Sequence, residues 1–241
     1  MKLWKVVLPL IPVYFGVFFI FMGLLYGSSE MVSVLSEKIS SSDEITVIID
    51  AGHGGEDGGA STSEGVLESD INLQIATKLN DLCKFLGIRT VMIRTDDRSV
   101  YTDGTTISQK KISDLKERVR ICNDTNNAIL ISIHQNYFSD EQYWGTQVFY
   151  SDMKESKCLA QRLQAAIISH LQSENNRNIK PAKEIYLMKH IRCPGVLIEC
   201  GFLSNNSEAF LLQQSEYQNK LCSVIACELT CYLAEATDTL T

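Results

Sequence analysis

Four side chains that can bind a metal or carry a proton stand beside apolar runs in the sequence. His53 lies in the loop GHGGEDGG that follows VIID, His134 ends ILISIH, and Glu199 ends GVLIE. Glu68, in GVLESDINL, precedes a helical pattern. Short apolar runs of this kind are typical of buried strands, so three of the four side chains are expected where a strand opens to solvent.

Two imidazoles and one carboxylate form the ligand set of a zinc ion that keeps its fourth position open. We therefore predict one zinc ion held by His53, Glu68 and His134. Glu199 is the predicted catalytic base, which takes a proton from water and delivers it to a leaving nitrogen. The ligands match no local zinc motif such as HExxH, so only the fold can bring them together.

Each of these residues also has a structural alternative. Glu68 would stabilise a helix dipole, His134 would be a hydrogen-bonded histidine at a strand end, and Glu199 would pair with an arginine such as Arg94. Arginines such as Arg118 would pair with the many acids or bind substrate carboxylates, and surface pairing is favoured.

The glycine-rich loop does not fit a phosphate site. Asp57 stands where a dinucleotide motif needs its last glycine, and Ala60 stands where a P-loop needs lysine. Its acidic residues would also repel an anion. We expect its glycines to let the backbone pack closely around a metal held by His53.

The predicted secondary-structure elements that carry these residues alternate between strand and helix. This pattern predicts a single α/β domain with a largely parallel central sheet flanked by helices on both faces. Functional groups in such sheets gather at the carboxyl ends of the strands. Strands are predicted at residues 45–50, 88–94, 129–134, 146–150, 184–188 and 196–200, helices at 70–86, 114–123, 157–171 and 221–233, and loops at 96–113 and 139–143.

The length, charge and cysteine content of the chain argue against several classes of function. The 241 residues, 45 % of them hydrophobic and 21 % charged, suffice for one well-buried domain. The net charge of -7 argues against nucleic acid or an anionic membrane surface as the main partner. The 8 cysteines are scattered without a CxxC pair, which favours buried thiols over a disulfide framework.

The N-terminal residues predict a membrane contact confined to that segment. Residues 6–26 carry no charge and are long enough to span a bilayer, which favours a retained anchor over a cleaved signal peptide. Lys2 and Lys5 place the N-terminus in the cytoplasm and the remaining chain outside. The predicted organisation is an anchor or signal segment at 1–26, a polar linker at 27–43, a catalytic domain at 44–236 and a tail at 237–241.

Four separated motifs resemble one enzyme family. IDAGHGGEDGGA, ESDINL, ILISIHQN and PGVLIECGFLSNNSEAFLL occur in the order found in the zinc-dependent N-acetylmuramoyl-L-alanine amidases of type 3. The resemblance runs from about residue 45 to 234. It implies zinc ligands at His53, Glu68 and His134 and a catalytic role for Glu199, the same four residues that the strand ends select.

The resemblance implies peptidoglycan as the substrate and hydrolysis of the amide between N-acetylmuramic acid and the L-alanine of the stem peptide. Asn136 and Arg94 are predicted substrate contacts. A catalytic domain without wall-binding repeats most resembles the sporulation amidases, which act in muramic-δ-lactam formation in the spore cortex. The expected location is extracytoplasmic, membrane-anchored or secreted, in the forespore intermembrane space.

Two positions depart from the family pattern without removing a ligand. Gln135 replaces a small residue, and Cys200 replaces an aliphatic one. No long insertion separates His134 from Lys157, so displacement of an occluding helix is not expected, and an activating protein partner would act by ordering the site. The alternatives are another zinc-dependent wall hydrolase, a peptidase or deacetylase, and a weakly active scaffold that binds the wall.

Overall fold

The computed structural model describes residues 45–238. The predicted anchor at residues 1–26 and the linker at 27–43 lie outside the described residues, and the domain boundaries stay predictions. Among the described residues, no helix combines the length and the apolar character that a membrane crossing requires.

A six-stranded sheet forms the centre of the domain. Its strands are β1 (Thr46–Ala51), β2 (Thr90–Met92), β3 (Ala128–Asn136), β4 (Gln147–Tyr150), β5 (Lys180–Pro181) and β6 (Gly195–Phe202). They lie in the order β2-β1-β3-β6-β4-β5. Neighbours are parallel except β4 and β6, which run antiparallel. The predicted α/β domain is confirmed, and its sheet is mixed.

Helices cover both faces of the sheet. They are α1 (Glu68–Phe85), α2 (Ile107–Asp124), α3 (Lys154–Leu171), α4 (Tyr186–His190), α5 (Asn206–Leu212) and α6 (Ser215–Asp238). Because side chains alternate along a strand, Val47 and Ile49 enter the larger core beside α1, α3 and α6. Ile48 enters a smaller core on the opposite face, beside Cys122 of α2 and Leu187 of α4.

Three elements differ from the sequence-based prediction. The strand predicted at 184–188 is wrong, because this apolar run forms α4 and the edge strand is β5. Helix α2 begins seven residues before the predicted residue 114, since Thr106 forms a capping box with Gln109. Helix α5 was not predicted, and the side chain of Asn205 caps it by accepting a hydrogen bond from the Glu208 amide.

The cysteines form no disulfide among the described residues, which hold all eight of them. Cys83, Cys122, Cys193, Cys200 and Cys222 are buried free thiols. These five agree with the expectation of small buried hydrophobes, whereas Cys158, Cys227 and Cys231 are exposed and do not.

The strand order brings the predicted site residues to one edge of the sheet. Strands β1, β3 and β6 are adjacent and parallel, so their carboxyl ends meet. His53 follows β1, whereas His134 of β3 and Glu199 of β6 are direct partners in register. Glu68 begins α1 at the same edge, because its amide donates to the carbonyl of Ala60 in the loop after β1.

Candidate metal centre and active site

The three predicted ligands form one cluster with Glu68 at its centre. Nε2 of His53 lies 3.3 Å from Oε2 of Glu68, and Nδ1 of His134 lies 3.1 Å from Oε1. One ligand atom from each residue lies within 4.8 Å of the others. Two nitrogen donors and one oxygen donor this close together make a candidate site for a single divalent metal ion.

Two glycines make room for these side chains. A Cβ at Gly52 would lie 2.2 Å from the ring of His134, and a Cβ at Gly59 would lie 2.5 Å from Oε2 of Glu68. Gly59 also has a φ of +71°, which L side chains rarely adopt. The glycine loop therefore packs closely around the ligands, as the sequence predicts.

A network of donors fixes the carboxylate of Glu68. Its Oε2 accepts from the amide of Ala60 at 3.0 Å, and its Oε1 accepts from the amide of Gln135 at 3.1 Å. The side chain of Asn72 donates to Oε1 at 3.3 Å and to the carbonyl of Gly52 at 3.1 Å. Burial would raise the pKa of Glu68, but the neighbouring histidines outweigh burial and hold the pKa well below its usual value.

Asp57 fixes the ring of His53. Its Oδ2 lies 3.0 Å from Nδ1 of His53, and Nε2 on the other side of the ring faces Glu68. Burial lowers the pKa of His53, yet the hydrogen bonds with Asp57 and Glu68 outweigh it and raise the pKa to about 9. Carboxylates that hold a proton on this imidazole also attract a metal cation.

The sequence pattern did not indicate the roles of Asp57 and Asn72, and it marked Gln135 only as a departure from the family pattern. Two of them stand four residues after a ligand: Asp57 after His53 and Asn72 after Glu68. On a helix that spacing places side chains together, so Asn72 could have been found from the pattern ESDIN. Gln135 also donates from its side chain to Asn72 at 3.1 Å.

Glu199 supplies a buried carboxylate beside the cluster. Its Oε2 is shielded from solvent and has no hydrogen-bond partner among the described residues. Burial raises the pKa of Glu199 to about 7, and its carboxylate interacts electrostatically with His134, Glu68 and His53. A carboxyl group whose pKa lies near neutrality suits a residue that accepts and returns a proton.

Arg94 does not have the predicted role. Its side chain has no exposed surface, and its guanidinium donates to the carbonyls of Ala51, Gly52 and Ser69. The expected substrate contact from Arg94 is therefore wrong, and its alternative pairing with Glu199 is absent from the described contacts. Arg94 holds the backbone that leads to His53. Asn136 is half-buried two residues beyond His134, and its substrate contact stays a prediction.

Arg118 pairs with acidic residues, as the sequence favours, but these pairs are buried and the expected surface position is wrong. It pairs with Asp50 of β1 and, through Nε at 2.6 Å, with Asp114 of α2. Its Nη2 donates to the carbonyl of His53 at 2.7 Å. Arg118 thus ties α2 to the strand and the loop that present the first histidine.

Comparison with known proteins identifies the family. A family model described as N-acetylmuramoyl-L-alanine amidase matches residues 47–230. The chain belongs to this family, and His53, Glu68, His134 and Glu199 all lie inside the matched region.

Relatives of the chain include amidases from Bacillus and Clostridium species. The germination-specific N-acetylmuramoyl-L-alanine amidase of Bacillus subtilis (strain 168) is 36 % identical over 194 residues, which cover 80 % of this chain and 81 % of the relative. Among solved structures, the CwlD amidase from Clostridioides difficile in complex with the GerS lipoprotein is 40 % identical, with a TM-score of 0.75 over 78 % of this chain and 98 % of that one. An N-acetylmuramoyl-L-alanine amidase from Clostridium difficile 630 is 33 % identical, with a TM-score of 0.70 over 80 % of this chain and 98 % of that one.

Proposed function

We propose that this protein is a zinc-dependent amidase that hydrolyses the bond between N-acetylmuramic acid and the L-alanine of the stem peptide in peptidoglycan. The observation that carries the proposal is the convergence of His53, Glu68 and His134 beside the buried carboxylate of Glu199. Membership of the amidase family supports the same bond.

The donor set fits zinc. Zinc accepts imidazole nitrogen and carboxylate oxygen together, and three protein ligands are typical of a catalytic site. Asp57 and Asn72 supply the outer hydrogen bonds that orient such ligands. A zinc ion held by His53, Glu68 and His134 would polarise the amide carbonyl and make water a better nucleophile.

Glu199 transfers the proton during hydrolysis. Its carboxylate accepts a proton from the attacking water as the water oxygen bonds to the carbonyl carbon of the lactyl group. It then delivers that proton to the nitrogen of L-alanine as the carbon–nitrogen bond breaks. The products are a free carboxyl group on muramic acid and a stem peptide with a free amino terminus.

We also place the reaction in spore-cortex peptidoglycan, outside the cytoplasm. The similarity to a germination-specific amidase and to the CwlD amidase supports this setting. The CwlD structure contains the GerS lipoprotein, which supports an activating protein partner here. A membrane anchor at residues 1–26 would keep the domain near its substrate.

Hydrolysis in ¹⁸O-labelled water identifies the bond that breaks. An amidase places the label on the lactyl carboxyl group of muramic acid and leaves the glycan intact. A peptidase places it on an amino acid within the stem, and a deacetylase places it on released acetate. Mass spectrometry of the products distinguishes these reactions, and a label anywhere except the lactyl group contradicts the proposed function.

A further inference from the structure

Exposed aromatic side chains cluster between β3 and β4. Tyr137, Phe138, Tyr143 and Trp144 have exposed fractions of 55, 50, 41 and 39 %. Phe138 meets Tyr143 edge to face, with ring centroids 4.9 Å apart, and Tyr143 stacks on the buried ring of Phe202 at 6.4 Å. We call these five residues the aromatic platform.

Contacts beneath the platform hold it in place. The guanidinium of Arg177 lies 4.5 Å from the ring centroid of Phe202, and its Nε donates to the carbonyl of Trp144 at 2.6 Å. The amide of Phe138 donates to the hydroxyl of Ser204 at 3.2 Å. A surface ordered in advance loses less conformational entropy when it binds a ligand.

The platform continues the edge of the sheet that carries the active-site residues. Its first members directly follow β3, the strand of His134, and Phe202 is the last residue of β6, the strand of Glu199. Asn136 and Phe202 are partners in register. A long substrate bound at the active site would therefore extend over the platform.

The chemistry of the platform favours a sugar. Its exposed apolar side chains are all aromatic, and three of them carry a hydroxyl or an indole N–H. Elsewhere on the surface, the exposed apolar side chains of Leu86 and Val91 are aliphatic. A pyranose ring presents a flat face of C–H bonds that packs on an aromatic ring, while its hydroxyl groups stay in water.

We propose that the aromatic platform binds the glycan strand of peptidoglycan next to the muramic acid whose stem peptide is removed. The proposal rests on the proposed function for the identity of the polymer. Binding energy from these distant sugars would help to position the amide, so long glycan strands would be better substrates than short muramoyl peptides.

The test measures binding of the full-length protein to glycan strands from which all stem peptides have been removed. Wild-type protein is expected to bind these strands. Phe138→Ala and Trp144→Ala are each expected to weaken binding by about tenfold, because each removes one exposed ring. Tyr143→Phe, which keeps its ring, should retain most of the affinity. Thermal denaturation of each variant checks that the domain still folds.

Phe85→Ala is the matched control, because Phe85 is an exposed ring at the far end of α1. It should bind glycan like the wild type. In kinetics, the ratio of kcat/KM on intact glycan to kcat/KM on a muramoyl dipeptide should fall by about tenfold in Phe138→Ala.

Absence of wild-type binding, or equal binding by the folded alanine variants, would overturn the proposal. A third outcome is that no protein binds glycan and the alanine variants lose binding to phosphatidylcholine vesicles. That outcome would assign the platform to a lipid surface and would also overturn the proposal. The stem-free glycan contains no scissile amide, so this result is independent of whether the protein is an amidase.

Discussion

At the residue scale, the carboxylates of Glu68 and Glu199 have different surroundings and different expected roles. Glu68 accepts hydrogen bonds at both oxygens and keeps a lowered pKa, which suits a permanent ligand. Glu199 has an unpartnered oxygen and a pKa raised by burial, which suits a group that exchanges a proton. The surroundings of the two side chains thus assign different roles to the same functional group.

The role of Glu199 predicts a separation between binding and catalysis. Glu199→Gln keeps the shape of the side chain but removes its ability to accept a proton. We expect zinc binding to stay unchanged while kcat falls by about 10²–10⁴-fold. Metal analysis and turnover on peptidoglycan measure the two effects, and unchanged turnover would remove Glu199 from the mechanism.

The contact between Asp57 and His53 predicts a loss of metal affinity when the carboxylate is removed. Asp57→Ala should weaken zinc binding by about 10–100-fold, because His53 loses the group that orients its ring. Glu56→Ala is the matched control, since this neighbouring acid pairs with Lys110 at 2.7 Å. Competition with a chelator measures the zinc Kd, and equal values for the two variants would contradict the orienting role.

The sequence was sufficient to select the residues of the cluster but not the side chains that hold them in place. His53, His134 and Glu199 were found because each follows an apolar run, and strand order then brought those ends together. Arg94 was misassigned because the sequence does not show that its guanidinium is buried under the carbonyls of Ala51 and Gly52.

At the element scale, the buried pair of Asp50 and Arg118 joins β1 to α2. Arg118→Met would leave the carboxylate of Asp50 uncompensated in the interior. We expect a loss of about 3–5 kcal/mol in the free energy of unfolding. Arg120→Met is the control, because Arg120 lies on the exposed side of the same helix and its pairs with Glu117 and Asp124 should matter little. Urea denaturation compares the variants, and equal stability would show that the buried pair contributes nothing.

The same pair predicts how stability depends on pH. Burial would raise the pKa of Asp50, but Arg118, His134 and Ser132 outweigh burial and hold the pKa below its usual value. The unfolded side chain has a pKa of about 3.9, so the stabilisation is fully present above that value and is lost as the pH falls through the lower folded pKa.

Unfolding free energies measured from about pH 6 to about pH 3 test whether stability falls with acid as expected. The stability of the wild type should fall more steeply with acid than that of Asp50→Asn, which lacks the titrating group. Parallel curves for the two proteins would contradict a lowered pKa at Asp50.

The long helices could be predicted because their apolar periodicity continues over many residues. Helices α1, α3 and α6 follow sustained apolar stripes and were found within a few residues of their observed ends, apart from extensions of α6. The short apolar run at 184–188 was read as a strand, because one helical turn and one strand bury similar side chains. Capping by Thr106 and Asn205 set the helix starts that the apolar pattern could not show.

At the scale of the whole molecule, the apolar segment at residues 6–26 predicts attachment to a membrane. We expect the full-length protein in the membrane fraction of a bacterial cell and a variant without residues 1–26 in the soluble fraction. Cell fractionation and N-terminal sequencing measure this. A mature N-terminus near Ser28 or Ser29 would instead establish a cleaved signal peptide.

Mass spectrometry of digested peptidoglycan tests most directly whether the protein is a zinc-dependent amidase. Purified peptidoglycan of vegetative and cortex type is digested by the full-length protein, and bound zinc is quantified in the same sample. We expect stem peptides with a free N-terminal L-alanine from the zinc-loaded wild type and almost none from Glu199→Gln. No release by a protein with zinc bound would contradict the proposed activity and favour a wall-binding scaffold or a different bond.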